Sequence, residues 1–390
     1  MKFLPSVLGL CAAAGLSLGV ASAADTPVKI GMITTLSGGG ASLGIDTRDG
    51  FDLAVKMRDG KLGGAETEII TVDDARKVGN AKQIVTRMLK QDNVDIVTGI
   101  VWSNLAMAVI PTVTKADKFY ISTNAGPSAL AGKGCDKNYF NVAYQNDNLH
   151  EAMGQYANDQ GVKKAFILAP NYPAGKDSLT GFKRYFKGEI VGEVYTKLGQ
   201  VDYAAEIANL RAAKPDAVFF FLPGGMGINF VKQYNQAGLK ETTPLYGPAF
   251  SFDEGILKAV GEAALGVHNS SQYSWDLDND ANKKFVQAFQ AEYKRKPSLY
   301  AAQGYEAALL LDSAIAAVNG DMSNKDGFRD ALKAAKFDSV RGKFKFGNNN
   351  HPIQDIYVRE VVKSDTGVTN KTVGPVFKDH VDAYAAMCKM

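Results

Sequence analysis

Short apolar runs alternate with amphipathic helical stretches along most of this chain, and the alternation starts twice. In the first series, strand-like runs at residues 30–33, 68–72, 95–100 and 119–122 are separated by helical patterns beginning near Asp46 and spanning 78–91 and 104–116. Near Asn146 the order begins again, with helices over 147–158, 176–186, 204–213 and 227–236 set between strands at 164–169, 190–196, 217–222, 244–246 and 265–269. Strands that are apolar on both faces must be covered on both faces, so this pattern predicts an α/β chain with parallel sheets under helices. Two successive series predict two doubly wound parallel-sheet lobes, in keeping with a length of 390 residues, which is more than one core usually serves. Helices without strands fill 279–335, and short strands at 343–346, 355–363 and 373–377 must return to one lobe or the other. No Pro-rich or low-complexity segment separates the two series, so several ordered crossings are expected, forming a hinge and not a tether.

The chain opens MKFLPSVLGLCAAAGLSLGVASAAD. One Lys, an apolar stretch over 7–20 and small residues at Ala21 and Ala23 form a secretory signal peptide, residues 1–23, cut after Ala23. Leu10 stands before Cys11 where a lipoprotein needs a small residue. The formal net charge is +3, Lys2 included, with acids and bases interspersed. No basic run marks a nucleic acid or an anionic membrane as partner, which leaves a small molecule. Beyond the leader only Cys135 and Cys388 remain, and an even pair in an exported chain is expected to form a disulfide, with two free thiols as the alternative.

The stretch 28–55, VKIGMITTLSGGGASLGIDTRDGFDLAV, carries a buried strand into a helix through a turn of Ser and Gly. It is not a nucleotide loop: Leu43 stands where G-x-G-x-x-G needs its last glycine, and Ile45 and Asp46 follow Gly44 where a P-loop needs Lys and Ser or Thr. What remains is a backbone able to approach a small anionic group at a helix N-terminus, or a plain strand-to-helix turn. Enzyme constellations are missing as well. His150, His268, His351 and His380 fit no metal spacing, and there is no G-x-S-x-G elbow. Asp73 and Asp74 are adjacent on an extended segment and point to opposite faces, so a turn or capping role is expected. The chain is therefore read as a binder, with no catalytic residue, metal or cofactor.

Five ordered landmarks carry a resemblance: LSGGGASLG at 36–44, VDDA at 72–75, TGIVWSN at 98–104, ISTNAGPSAL at 121–130, and QAGL at 236–239 before PLYGPAFSF. In this order the chain resembles the periplasmic leucine/isoleucine/valine-binding protein family, whose members serve ABC importers. The resemblance implies a type I periplasmic binding protein: two lobes joined by a three-crossover hinge, lobe one over 24–145 and 273–351, lobe two over 146–272 and 352–390. It also implies a periplasmic monomer that delivers a small molecule to a permease in the inner membrane.

By the same resemblance Ser103 falls on the serine that holds the ligand carboxylate, and Asn124, Ala125 and Gly126 fall on a second ligand-holding loop. Ala174 falls on the aromatic lid position, with Tyr172 beside it as a substitute. Trp102, Leu43, Pro223, Ala249, Phe250 and Tyr300 complete the expected ligand set. Amino-acid binders carry a glutamate where Ala249 stands and often an aspartate where Asn146 stands, so both partners for a ligand ammonium are missing. Trp102 and Arg76 occupy positions that some relatives join by a disulfide. The ligand is therefore expected to be an acid without an amine. Trp102, Tyr172, Phe250, Phe252, Tyr273 and Tyr300 were each expected near the cleft, which favours an aromatic acid of the benzoate or hydroxycinnamate type. The alternatives are a branched-chain amino acid or an amide as ligand, and service to a membrane sensor in place of an importer.

Overall fold

The structure, a computed structural model, describes residues 26–390; the signal peptide expected over 1–23 lies outside the described residues. The first series folds as β1 (Val28–Thr34), α1 (Ala41–Lys56), β2 (Lys61–Leu62), β3 (Ala65–Asp73), α2 (Val78–Lys90), β4 (Ile96–Thr98), α3 (Ser103–Lys115), β5 (Phe119–Ser122), α4 (Ser128–Ala131) and β6 (Tyr139–Asn141). These strands form one sheet in the order β2-β3-β1-β4-β5-β6. It is parallel apart from the short edge strand β2. β1 is buried along nearly its whole length, as a central strand covered on both faces must be. α2 buries Ala81, Val85 and Met88, one stripe at helical spacing, and turns its other face to solvent.

The second series follows as α5 (Asn148–Asp159), β7 (Lys164–Pro170), α6 (Pro173–Tyr185), β8 (Glu189–Thr196), α7 (Ala204–Ala213), β9 (Ala217–Phe220), α8 (Gly225–Gln236), β10 (Leu245–Pro248), α9 (Glu254–Val260) and β11 (His268–Ser271). The chain then runs through α10 (Asp280–Tyr293), α11 (Leu299–Ala317) and α12 (Lys325–Ala334), and ends in β12 (Lys345–Phe346), β13 (Pro352–Ser364) and β14 (Gly367–His380). The second sheet has the order β12-β13-β11-β10-β9-β7-β8, with β14 paired to β13. Strands β7 to β11 are parallel, and β12, β13 and β14 join antiparallel.

Three departures from the sequence reading have local causes. α1 starts at Ala41 and not near Asp46, because Gly38–Gly40 form a 3-10 turn that runs directly into the helix. The strands expected over 355–363 and 373–377 are one long hairpin, with Ser364 opposite Gly367 across its tight turn. β2, α4, β6 and α9 have no counterpart in the sequence reading, being too short to show a period.

The chain passes three times between the sheets, after β6, after β11 and after α12. Arg341, on the third passage, is buried and pairs with buried Glu306; its Nη1 also donates to the carbonyl of Ala143 on the first passage at 3.0 Å. The same carbonyl accepts from Gln354 Nε2 at 2.9 Å. The passages thus hold one another. Helices α10 to α12 return to the first sheet, where α11 packs on α1 almost backbone to backbone: a Cβ at Gly50 would lie 1.9 Å from the carbonyl oxygen of Ala301, and one at Gly304 would lie 2.0 Å from that of Thr47. Cys135 and Cys388 are joined, with Cα atoms 5.7 Å apart, so the segment after β14 is tied to the loop before β6 and the free-thiol alternative falls away.

Candidate functional site

The carboxyl ends of the parallel strands of both sheets point at one another, which is where an open α/β sheet places a ligand. Between them lies a small, tightly lined cavity, with about 20 Å³ open to the centre of a water-sized sphere. From the first sheet, Leu43 reaches it on α1, Val101 and Trp102 between β4 and α3, Ser103 at the start of α3, and Asn124 after β5; Tyr300 joins them from α11. From the second sheet come Tyr172 and Ala174 after β7, Phe221 and Pro223 after β9, and Phe250 after β10. Tyr144, Asn146 and His150, on and just beyond the first passage, close the end between them. All fourteen lining residues are buried.

Of the residues expected to hold ligand, Leu43, Trp102, Ser103, Asn124, Tyr172, Ala174, Pro223, Phe250 and Tyr300 meet around this cavity, whereas Ala125, Gly126 and Ala249 lie outside its lining. The N–H of Gly126 donates to Asn146 Oδ1 at 3.0 Å, and the carbonyl of Ala125 accepts from Ser122 Oγ at 2.7 Å and Asn141 Nδ2 at 3.2 Å. That loop turns its polar groups to its own support. Ala249 is wholly buried, in a 3-10 turn that aims Phe250 into the cavity. Phe252 and Tyr273 also depart from expectation: Phe252 packs edge-on to Phe220 at 5.4 Å and Tyr273 against Phe285 at 6.3 Å.

Val101, Tyr144, His150 and Phe221 line the cavity without having been singled out from the sequence, and Asn146 had been noted only for its lack of charge. Val101 and Phe221 follow β4 and β9 as Asn124 follows β5, so position just past a strand end was the available signal. Nothing in the sequence distinguishes His150 from a core histidine.

The rings form a connected set. Trp102 and Tyr172 have centroids 6.2 Å apart, Tyr172 and Phe221 6.3 Å and near parallel, Phe221 and Phe250 5.5 Å and perpendicular. Tyr144 and Tyr300 flank Phe250 at 5.2 and 6.3 Å. Such spacings are favourable for aromatic pairs. Trp102 is also held from behind. Its Nε1 donates to Thr35 Oγ1 at 3.0 Å, and that hydroxyl donates to Asp74 at 2.7 Å. Arg76 lies 5.3 Å from the Trp102 ring centroid, so these two residues pair with each other. Gly40 makes room for this indole, since a Cβ there would come within 2.5 Å of it.

The Ser-Gly turn after β1 is occupied by the protein's own anion. Asp73 accepts from the N–H groups of Leu36 and Ala75, each at 2.8 Å. Burial works to raise this carboxyl, but those bonds and one from Ser37 hold it below the usual range. Asp74 accepts from the N–H of Arg76 at 2.7 Å and is pushed up by burial. Both therefore do turn work.

No Asp, Glu, Lys or Arg lines the cavity. Burial pushes the His150 ring down to about 3 and the hydroxyls of Tyr144, Tyr172 and Tyr300 up, so the walls carry no formal charge near neutrality. Polar groups come from Ser103 at the first position of α3, Asn124, Asn146, His150 and the tyrosines Tyr144, Tyr172 and Tyr300. The leading N–H groups of α3 have no intrahelical acceptor and favour negative charge. Asn124 is committed elsewhere, its Nδ2 to the carbonyl of Val101 at 2.8 Å and its Oδ1 to the Tyr144 hydroxyl at 2.7 Å. Among the described residues no group of His, Cys, Asp and Glu is placed to hold a metal.

Residues 27–367 match the family described as periplasmic binding protein. A curated relative, Leu/Ile/Val-binding protein homolog 6 of Brucella melitensis, is 27% identical over 371 residues, 92% of this chain and 94% of that protein. Among solved structures, a solute-binding protein of an ABC transporter from R. palustris in complex with benzoate superposes with a TM-score of 0.89 at 33% identity, covering 94% of this chain and all of that one. Another, from Rhodopseudomonas palustris BisB5 in complex with 3,4-dihydroxybenzoic acid, gives 0.84 at 30% identity over 92% and 99% of the two chains.

Proposed function

This chain belongs to the periplasmic binding protein family and is of the ABC-transporter type, and from that premise we propose that it captures a small aromatic carboxylate, of the benzoate or hydroxycinnamate type, by closure of two lobes. The carrying observation is the cavity's composition: a cage of rings with one donor-rich end at Ser103 and no charged side chain in its lining. A carboxylate at the start of α3 is met by the Ser103 hydroxyl and the helix N-terminus, and each good ring contact adds about 0.5 to 1.5 kcal/mol. An ammonium has no such welcome, because an unpaired buried charge costs several kcal/mol. Relatives that bind benzoate and 3,4-dihydroxybenzoic acid support this reading. The name of the Brucella relative favours a branched-chain amino acid, but neither Ala249 nor Asn146 offers the carboxylate that such a ligand needs.

The moving bodies are residues 24–145 with 273–351, and 146–272 with 352–390, working as a periplasmic monomer that hands its ligand unaltered to the permease. Benzoate, hydroxycinnamate, leucine and phenylalanine compared by thermal shift test the reading. A ligand that binds only the closed form adds about 2.7 kcal/mol at a hundredfold excess over Kd, and this stabilisation is expected with the first two. Stabilisation by the amino acids alone would overturn it, and recovery of a chemically changed acid would overturn the absence of turnover.

A further inference from the structure

Asn146 lies on the first passage between the sheets, 3% exposed, and three groups fix its orientation. The N–H of Gly126 can only donate, and it meets Oδ1 at 3.0 Å. The opposite side of the amide must then be the nitrogen. Nδ2 faces Asp177 Oδ2 at 2.9 Å and Ser103 Oγ at 3.1 Å, so both of its hydrogens are spoken for. Asp177, on α6, accepts from the N–H of Ser128 at 3.1 Å and from its hydroxyl at 2.7 Å. Three donors surround this carboxylate, and it acts as an acceptor throughout. Ser128 stands on α4, over the first sheet, so the same carboxylate joins helices of both sheets across the cleft.

The consequence falls on Ser103. Its Oγ already receives a hydrogen from Asn146, and its single remaining hydrogen is free for the cavity. Beside it the leading N–H groups of α3 are donors too. We infer that Asp177, acting through Asn146, sets the direction of the hydrogen bond at Ser103, so that this end of the cavity offers donors and selects ligands that present a carboxylate. A carboxylate outside the cavity thereby selects a carboxylate inside it, with an amide and a hydroxyl between the two charges. Asp177 is a positioning residue that never touches the ligand. The inference rests on the carboxylate part of the function proposed above and does not require the ligand to be aromatic.

The test is Asp177→Asn, which leaves every residue of the cavity lining in place and weakens the acceptor that holds the Asn146 amide. Dissociation constants for benzoate and for benzylamine, which presents an ammonium, are measured on the unaltered and altered chains by calorimetry. The benzoate-to-benzylamine ratio of Kd is expected to rise about threefold, the size of one weakened hydrogen bond. A purely structural role would weaken both ligands together and leave the ratio unmoved, which would overturn the inference while the aromatic-acid reading stands. If the altered chain does not fold, Asn146→Leu, which frees the Ser103 hydroxyl to rotate without adding a charge, is expected to move the ratio the same way by about threefold; no movement overturns the inference. An unaltered chain that takes an aliphatic acid and not benzoate removes the rings from the argument, and the ratio is then measured on that acid and its amine. A chain that binds no carboxylate overturns both.

Discussion

On the side of the cavity built from the first sheet, Trp102 and Asn124 are each held by hydrogen bonds, to Thr35 and to the carbonyl of Val101, and Ser103 receives one from Asn146. On the side built from the second sheet, Tyr172, Phe221 and Phe250 are held against one another by ring contacts between 5.5 and 6.3 Å. Hydrogen bonds are directional and fix an atom to within a few tenths of an ångström, whereas ring packing tolerates slides and tilts. One wall is thus suited to orienting a ligand and the other to following its shape. Substitutions on the two walls should fail in different ways.

Phe221→Ala should give the largest loss, about 3 to 5 kcal/mol of stability by urea denaturation, because this ring supports the second wall from within the core. A loss below about 1 kcal/mol would mean that the wall is not packed as described. Ser103→Ala should cost only about 1 kcal/mol of stability, from the Asn146 hydrogen left without its acceptor, but raise Kd for the carboxylate ligand about 10- to 100-fold, the effect of removing a hydrogen bond to a charged group. Unchanged affinity would erase the distinction between the walls.

His150 sharpens the contrast through pH. Its folded-state pKa is depressed by burial to about 3, against about 6.5 when unfolded. Between those values the unfolded chain takes up a proton that the folded chain refuses, so the stability tied to this neutral ring is complete above about pH 6.5 and is lost as pH falls, by about 1.4 kcal/mol per unit. Between pH 6.5 and 5 the unaltered chain should lose about 2 kcal/mol more than His150→Gln. Parallel pH curves for the two would show that the ring is not buried neutral. The smallest effect is expected for Tyr172→Phe, which keeps the ring and removes only the hydroxyl: less than about 0.5 kcal/mol in benzoate affinity, against about 1 kcal/mol for Tyr172→Ala. A large effect of Tyr172→Phe would move this residue from the shape-following wall to the orienting one.

Much of this was readable from the chain. Central strands such as β4 and β9 are short, largely apolar runs that follow an aspartate, and β5 and α7 fall on the expected boundaries. The β13–β14 hairpin was not readable as one element, because its turn lacks an Asn-Gly or Asp-Gly pair and β14 carries Pro375 in its middle. Within the site, the residues set by a strand end were legible, as Ser103 and Asn124 illustrate. Phe250 was legible too, but that Phe252 turns away from the cavity was not: Phe250 lies within a 3-10 turn that Phe252 caps, and residues two apart there point to different sides. Asn146 was legible as a missing charge, but its use as a donor depends on Asp177 and Gly126, which meet it only in three dimensions.

The packing of Gly50 and Gly304 has a bearing on how the molecule comes into being. A ribosome delivers all six strands of the first sheet by residue 141, yet α11, the helix that α1 requires at contact distance, is not finished until residue 317. In that interval β7 to β11 are made, and the face of α1 that carries Gly50 waits without its partner. The earliest strands to be synthesised therefore belong to a lobe that cannot be completed early, and an apolar helix face left waiting is the kind of surface on which nascent chains stick to one another.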